Sequence, residues 1–193
     1  MKCLCMQNVF NLDRVKFLLG SFFPYLESCK RADIIVASGV LYHMTEPSRL
    51  LELITAKSDR VFLWTHYYDE QVVKGRQDAD LFAPATELEG TKLRGSRRLY
   101  PEAALSWNGF SGGADSYAVW LTKESIVAYF EQCGYIVTTN FDDPHHVNGP
   151  SFALCAVRPS REKVRWSVRA YRAFADMAGL SKPAIDVPSL DVR

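Results

Sequence analysis

The chain has 193 residues, of which 48% are hydrophobic and 23% charged, with a formal net charge of +1. Such a composition can bury one substantial core and excludes the disordered class, while the near-neutral charge argues against a strongly electrostatic partner. No apolar run reaches the ~20 residues of a membrane span, and Met1 to Phe10 interrupts its hydrophobics with Lys2, Gln7 and Asn8, unlike a secretory leader, so a cytoplasmic location is expected. The five cysteines are odd in number and lack paired C-x-x-C spacing, which points to reduced thiols rather than a disulfide framework or zinc site.

From the amino end, the first clear element is the run Ile34, Ile35, Val36 and Ala37. It has strand length and is apolar at every position, as in a strand covered on both faces of a parallel sheet. Ser38 and Gly39 stop it. Pro47 suits the first turn of a helix, and Leu50, Leu51, Leu53 and Ile54 recur at helical spacing, predicting an amphipathic helix that packs back onto the sheet. Val61, Phe62, Leu63 and Trp64 form a second fully apolar strand. From Asp69 to Tyr117 the periodicity is weak. This stretch carries the basic residues Arg94, Arg97 and Arg98 and the turn-rich W-N-G-F-S-G-G-A-D-S. Trp107, Phe110, Tyr117 and Trp120 favour a lid or binding loop over a disordered linker. Order then returns. Thr122 is a predicted N-cap, Ile126, Val127, Tyr129 and Phe130 share a helix face, and Gly134 ends the helix. Tyr135 to Thr139 and Ser151 to Val157 read as strands joined by D-D-P-H-H-V-N-G-P. A last helix is predicted over Arg161 to Ala178, with Val164, Val168, Tyr171 and Ala175 on one side and Gly179 at its end.

The run D-I-I-V-A-S-G-V-L-Y-H-M resembles the segment around the fourth strand of class I S-adenosylmethionine-dependent methyltransferases. It is most similar to a branch with a G-V-L-Y-H loop that includes a tRNA wobble-uridine carboxymethyl transferase. By the same resemblance, Lys2 to Phe10 ends that family's second helix, Val15 to Gly20 is its third strand and Arg60 to Thr65 its fifth. Thr122 to Cys133 matches its next helix, and Tyr135 to Phe141 with Ser151 to Val157 its closing antiparallel pair. The family's glycine-rich G-x-G-x-G turn has no counterpart in this sequence, and Ser21 stands where an aspartate is usual. The expected fold is thus an incomplete Rossmann-like methyltransferase sheet, α/β, of the third to seventh strands. It is expected as a single partial domain: an α/β part (1–68), an irregular lid or substrate-binding insertion (69–118), a helix and antiparallel strand pair (119–158), and a basic C-terminal helix and tail (159–193).

The resemblance implies S-adenosyl-L-methionine as cofactor. Gly20, Ser21 and Phe22 would meet its adenine, Ser38 and Gly39 its methionine portion, and Tyr42 the same cleft. Methyl transfer is an in-line displacement that needs alignment more than catalytic machinery, with a base only where the acceptor must lose a proton. Tyr42, His43 and His66 follow predicted strands, face the crevice beyond the strands' carboxyl ends, and are the catalytic candidates. A small-molecule acceptor is favoured by the near-neutral charge, with tRNA a second option and no membrane partner. An exposed sheet edge predicts self-association. The sequence leaves open whether the chain is an enzyme, the C-terminal part of a catalytic domain, or a non-catalytic remnant binding nucleic acid or protein through Arg158, Arg161, Lys163, Arg165, Arg169 and Arg172. His145 and His146, with Asp142 and Asp143 before them, supply donor types a metal could use, but no diagnostic ligand spacing.

Overall fold

A computed structural model describes residues 2–107 and 115–159. Its opening elements are helices α1 (Lys2–Val9) and α2 (Phe22–Ser28), strand β1 (Ile35–Ser38), a single 3-10 turn at Leu41–His43, and helix α3 (Pro47–Lys57). Strand β2 (Arg60–His66) and helix α4 (Glu70–Lys74) follow, then β3 (Thr86–Glu87), β4 (Arg94–Leu99), helix α5 (Glu102–Leu105) and β5 (Tyr117–Leu121). Helix α6 (Lys123–Gln132) and strands β6 (Ile136–Asp143) and β7 (Ser151–Val157) close the described part.

Four strands form the main sheet in the order β1-β2-β7-β6. β1 runs parallel to β2, β2 pairs antiparallel with β7, and β7 with β6. Period-two alternation divides the sheet's faces. On one, Ala37, Val61, Leu63, Phe152, Leu154 and Ala156 pack beneath Leu50, Leu51 and Ile54 of α3 and Ile126 and Phe130 of α6. The helices form as the sequence predicts: Pro47 occupies the first turn of α3, and the Thr122 hydroxyl accepts the Ser125 N–H to cap α6. Gly134 follows α6 with φ +81°, the left-handed conformation that favours glycine at a helix end.

Three expectations are corrected. Val15 to Gly20 is not a strand: its backbone is irregular and its residues exposed, and no described strand lies beside it to supply the ladder that a strand requires. β1 is covered on one face only, since Ile34 and Val36 remain 55% and 62% exposed among the described residues. Nor are the described residues of 69–118 wholly irregular. β3, β4 and the start of β5 lie there, and β3-β4-β5 form a second sheet, fastened to the first by backbone bonds from the Tyr68 N–H to the Leu121 carbonyl (2.9 Å) and from the Val119 N–H to the Met44 carbonyl (2.8 Å). Phe110, the helix expected over Arg161 to Ala178, and the basic cluster beyond Arg158 lie outside the described residues.

Phe130 is fully buried, edge-on to Tyr135 at 5.4 Å between ring centres. Phe130→Ala is expected to cost about 3–5 kcal/mol in urea unfolding, whereas Val36→Thr on the uncovered face should change stability by less than about 0.5 kcal/mol.

Candidate functional site

The carboxyl ends of β1 and β2 lie side by side, with Ser38 paired to Trp64 and the Gly39 N–H donating to the Trp64 carbonyl at 3.0 Å. Gly39 has φ +72°, which lets the chain turn sharply out of β1 into the Leu41–His43 turn. Around this turn lie a cleft and, beside it, a cluster of aromatic rings.

The first is a cleft of about 350 Å³ lined by Ser21, Phe22, Gly39, His43, Thr45 and Glu46, among others. Its volume is within the ~300–1,000 Å³ typical of small-molecule sites. Ser21, Phe22 and Gly39, singled out from the sequence for cofactor contact, thus converge here with His43. The Ser21 hydroxyl is engaged locally, accepting the Phe23 N–H at 3.4 Å as the N-cap of α2. Gly20 and Ser38 flank the cleft without lining it. A larger cleft of about 440 Å³, lined by Glu52, Lys92, Ser125, Tyr129 and Gln132, contains none of the candidate residues.

The neighbouring cluster is built of packed rings. Tyr42 turns away from the cleft and meets His66 edge-on at 4.6 Å, with Trp64 and Trp120 at 6.1 and 6.0 Å. His66 stacks on Trp120 at 5.1 Å with an interplanar angle of 10°, and the His146 ring lies 5.2 Å from it. Its Nδ1 is 2.9 Å from the Gly149 carbonyl and 3.3 Å from that of Pro150, so Nδ1 carries the proton and Nε2 the lone pair. Burial lowers the His66 pKa; the two carbonyl contacts oppose this in part, and the neighbouring His146 and His43 reinforce it. The imidazole is therefore neutral at pH 7, as a proton acceptor must be.

The other catalytic candidates have different environments. Burial raises the Tyr42 pKa, keeping the hydroxyl protonated and unsuited to be a base. The His43 Nδ1 lies 3.4 Å from the Tyr100 hydroxyl, and burial together with the charge of Arg98 lowers its pKa. Of the three arginines grouped in the sequence, only Arg98 turns inward, over the rings of Phe82, Tyr100 and Trp120 at 5.4–5.6 Å. It shares Asp78 with Arg76. Burial would raise the Asp78 pKa, but hydrogen bonds from Arg76 and Arg98 carry it below the usual carboxylate range. Trp120 Nε1 and Arg98 Nε are buried without a hydrogen-bond acceptor among the described residues, leaving two donors in this wall.

Sequence reasoning missed Gly149 and the setting of His146. A Cβ on Gly149 would lie 2.7 Å from the Trp120 ring, and its φ is +116°. The absent side chain lets Trp120 press against the same backbone that holds His66. The signal in the sequence is the N-G-P turn before β7. Among the described residues no cluster of three metal-ligating side chains occurs.

Gly149→Ala is expected to cost on the order of 1–3 kcal/mol in thermal unfolding through backbone strain alone, with more from displacement of Trp120. The pH dependence has a defined sign. The folded pKa values of His43 and His66 are below the ordinary ~6.5, so the unfolded chain binds more protons as pH falls. Their contribution is fully present above about pH 6.5 and declines below it, and His66→Gln should flatten that decline in melting temperature between about pH 6.5 and 5.

No family model matches the chain, and no curated protein matches it in sequence. Solved structures do match. The N-terminal domain of EvdMO1, in the presence of S-adenosylhomocysteine and D-fucose, aligns with a TM-score of 0.55 at 20% identity over 79% of this chain and 58% of that one. The same domain with S-adenosylhomocysteine bound gives 0.54 at 21% identity, over 79% and 57%. The glycopeptide N-methyltransferase MtfA in complex with S-adenosylhomocysteine aligns at a TM-score of only 0.34, too low to bear on the fold. The chain spans less than three fifths of the length of either EvdMO1 structure. Its described residues share the mixed α/β fold of the N-terminal domain of EvdMO1.

Proposed function

We propose that this chain is part of an S-adenosylmethionine-dependent methyltransferase acting on the hydroxyl of a small, oxygen-rich acceptor. The observation that carries this reading is the adjacency, through Tyr42, of a cleft at the carboxyl end of β1 and a neutral histidine at the end of β2 whose Nε2 has no partner among the described residues. The EvdMO1 domain, which shares the fold, binds S-adenosylhomocysteine and was studied with D-fucose, a polyol of this acceptor class.

The residues fit the cofactor. The Phe22 ring offers an apolar surface for the adenine, and Gly39 lets ligand atoms approach the backbone closely. When bound, S-adenosylmethionine supplies an electrophilic methyl group on a sulfonium, and the C–S bonding pair returns to sulfur on transfer. His66 Nε2 would accept the proton of the acceptor's O–H. Tyr42, whose hydroxyl is 3.9 Å from where a Gly39 Cβ would sit and whose ring touches His66, separates cofactor and acceptor sides and donates from the hydroxyl. Trp64, half-buried, offers a flat face to the apolar side of a sugar-like ring.

Calorimetric titration with S-adenosylhomocysteine tests the reading. We expect saturable binding at about 100 μM or tighter, roughly −5.5 kcal/mol, weakened at least tenfold by Phe22→Ala. A folded sample that binds nothing would overturn it. Against an accepted substrate, His66→Gln should lower kcat by about 10²–10⁴ while leaving affinity for S-adenosylhomocysteine unchanged.

A further inference from the structure

The loop between β6 and β7 positions two histidines through its own backbone, and it does so in opposite senses. Gly149 and Pro150 offer carbonyl oxygens to His66 Nδ1, which therefore donates. One residue before Gly149, the Asn148 N–H donates to His146 Nδ1 at 3.2 Å, which therefore accepts. A neutral imidazole carries one N–H, so each contact dictates the state of the far nitrogen. His66 Nε2 bears a lone pair, and His146 Nε2 bears a hydrogen. The ring centres lie 5.2 Å apart with their planes tilted by 54°, and both rings lie near Trp64, His66 at 5.2 Å and His146 at 6.3 Å. Among the described residues neither Nε2 has a hydrogen-bond partner; His66 is 4% exposed and His146 half-buried.

We infer that His66 and His146 form a matched acceptor and donor pair that grips one substrate hydroxyl, with His146 as the residue that orients it. A hydroxyl has both functions to offer: its proton points to His66 Nε2, and one of its lone pairs accepts from His146 Nε2–H. Its remaining lone pair is thereby left free and held in a fixed direction, as a displacement would require. An amine acceptor that is protonated at neutral pH lacks a lone pair to accept from His146, so the pair selects neutral hydroxyls over ammonium groups. This assignment deepens the methyltransferase reading and rests on it for the purpose of the grip, but the tautomers themselves do not depend on the cofactor.

Long-range ¹H–¹⁵N correlation spectra of the imidazoles at pH 7.5 test it in the wild-type chain. We expect the Nδ1–H tautomer for His66 and the Nε2–H tautomer for His146. Glycerol, a minimal polyol probe, should then move both Nε2 resonances with one common midpoint. His146→Ala should weaken glycerol binding severalfold without changing the His66 tautomer, and His146→Gln, whose amide retains an N–H donor, should restore most of it. Two histidines in the same tautomer, or a glycerol response confined to one ring, would overturn the inference. Failure of S-adenosylhomocysteine to bind alongside opposite tautomers would overturn the methyltransferase reading instead, so the two failures are distinguishable.

Discussion

The antiparallel pairing of β2 with β7, in the register that sets His66 opposite Ser151, is the constraint on which the site depends. Side chains alternate along a strand, so a slip of one residue would send His66 to the helix-covered face and Leu63 out of the core. The register is protected by what it buries. Val61, Leu63, Leu154 and Ala156 are at most 2% exposed, and none could leave that face without a large loss of apolar burial. The same pairing delivers the Gly149 and Pro150 carbonyls to the imidazole, so the hydrophobic core and the chemistry share a single set of strand contacts.

Around His66 the environment is poor in water and rich in aromatic rings, which favours the neutral imidazole. Arg98 is nearby, yet its charge is shared with Asp78 and spread over three rings. A neutral base beside a partly compensated cation suits an uncharged acceptor that becomes anionic only as its proton leaves. The three-stranded sheet supplies most of this wall. Its attachment through Tyr68 and Val119 makes it a fixed partner of the cleft rather than a detached flap.

Legibility in the sequence followed how local the determinants are. β1, α3, β2, α6 and β7 carry their own period and punctuation: Pro47, the Thr122 cap, and apolar runs of strand length. The β3-β4-β5 sheet did not show. β4 reads R-G-S-R-R-L, with small residues buried and charged ones outside, so its strand character resides in pairing with Tyr117 to Leu121 rather than in a hydrophobic alternation. Val15 to Gly20 shows the converse, an apolar segment with strand propensity and no neighbour. In the site, His66 was legible because it ends an apolar strand. The tautomer-setting contacts were not, since they arise from a turn far away in the chain and from a glycine whose value lies in the Trp120 ring against it.

The His66–Gly149 hydrogen bond closes a sequence separation of 83 residues. Contacts of that span are among the last a chain can afford entropically, because the loop they close must be ordered before they reward it. A chain with α3 and the parallel β1–β2 pair formed, but the carboxyl-terminal hairpin undocked, would present His66 to solvent with either tautomer free to form. If His66 is the base of the proposed reaction, its set tautomer arrives with completion of the fold and not before, and folding intermediates carry the histidine without it.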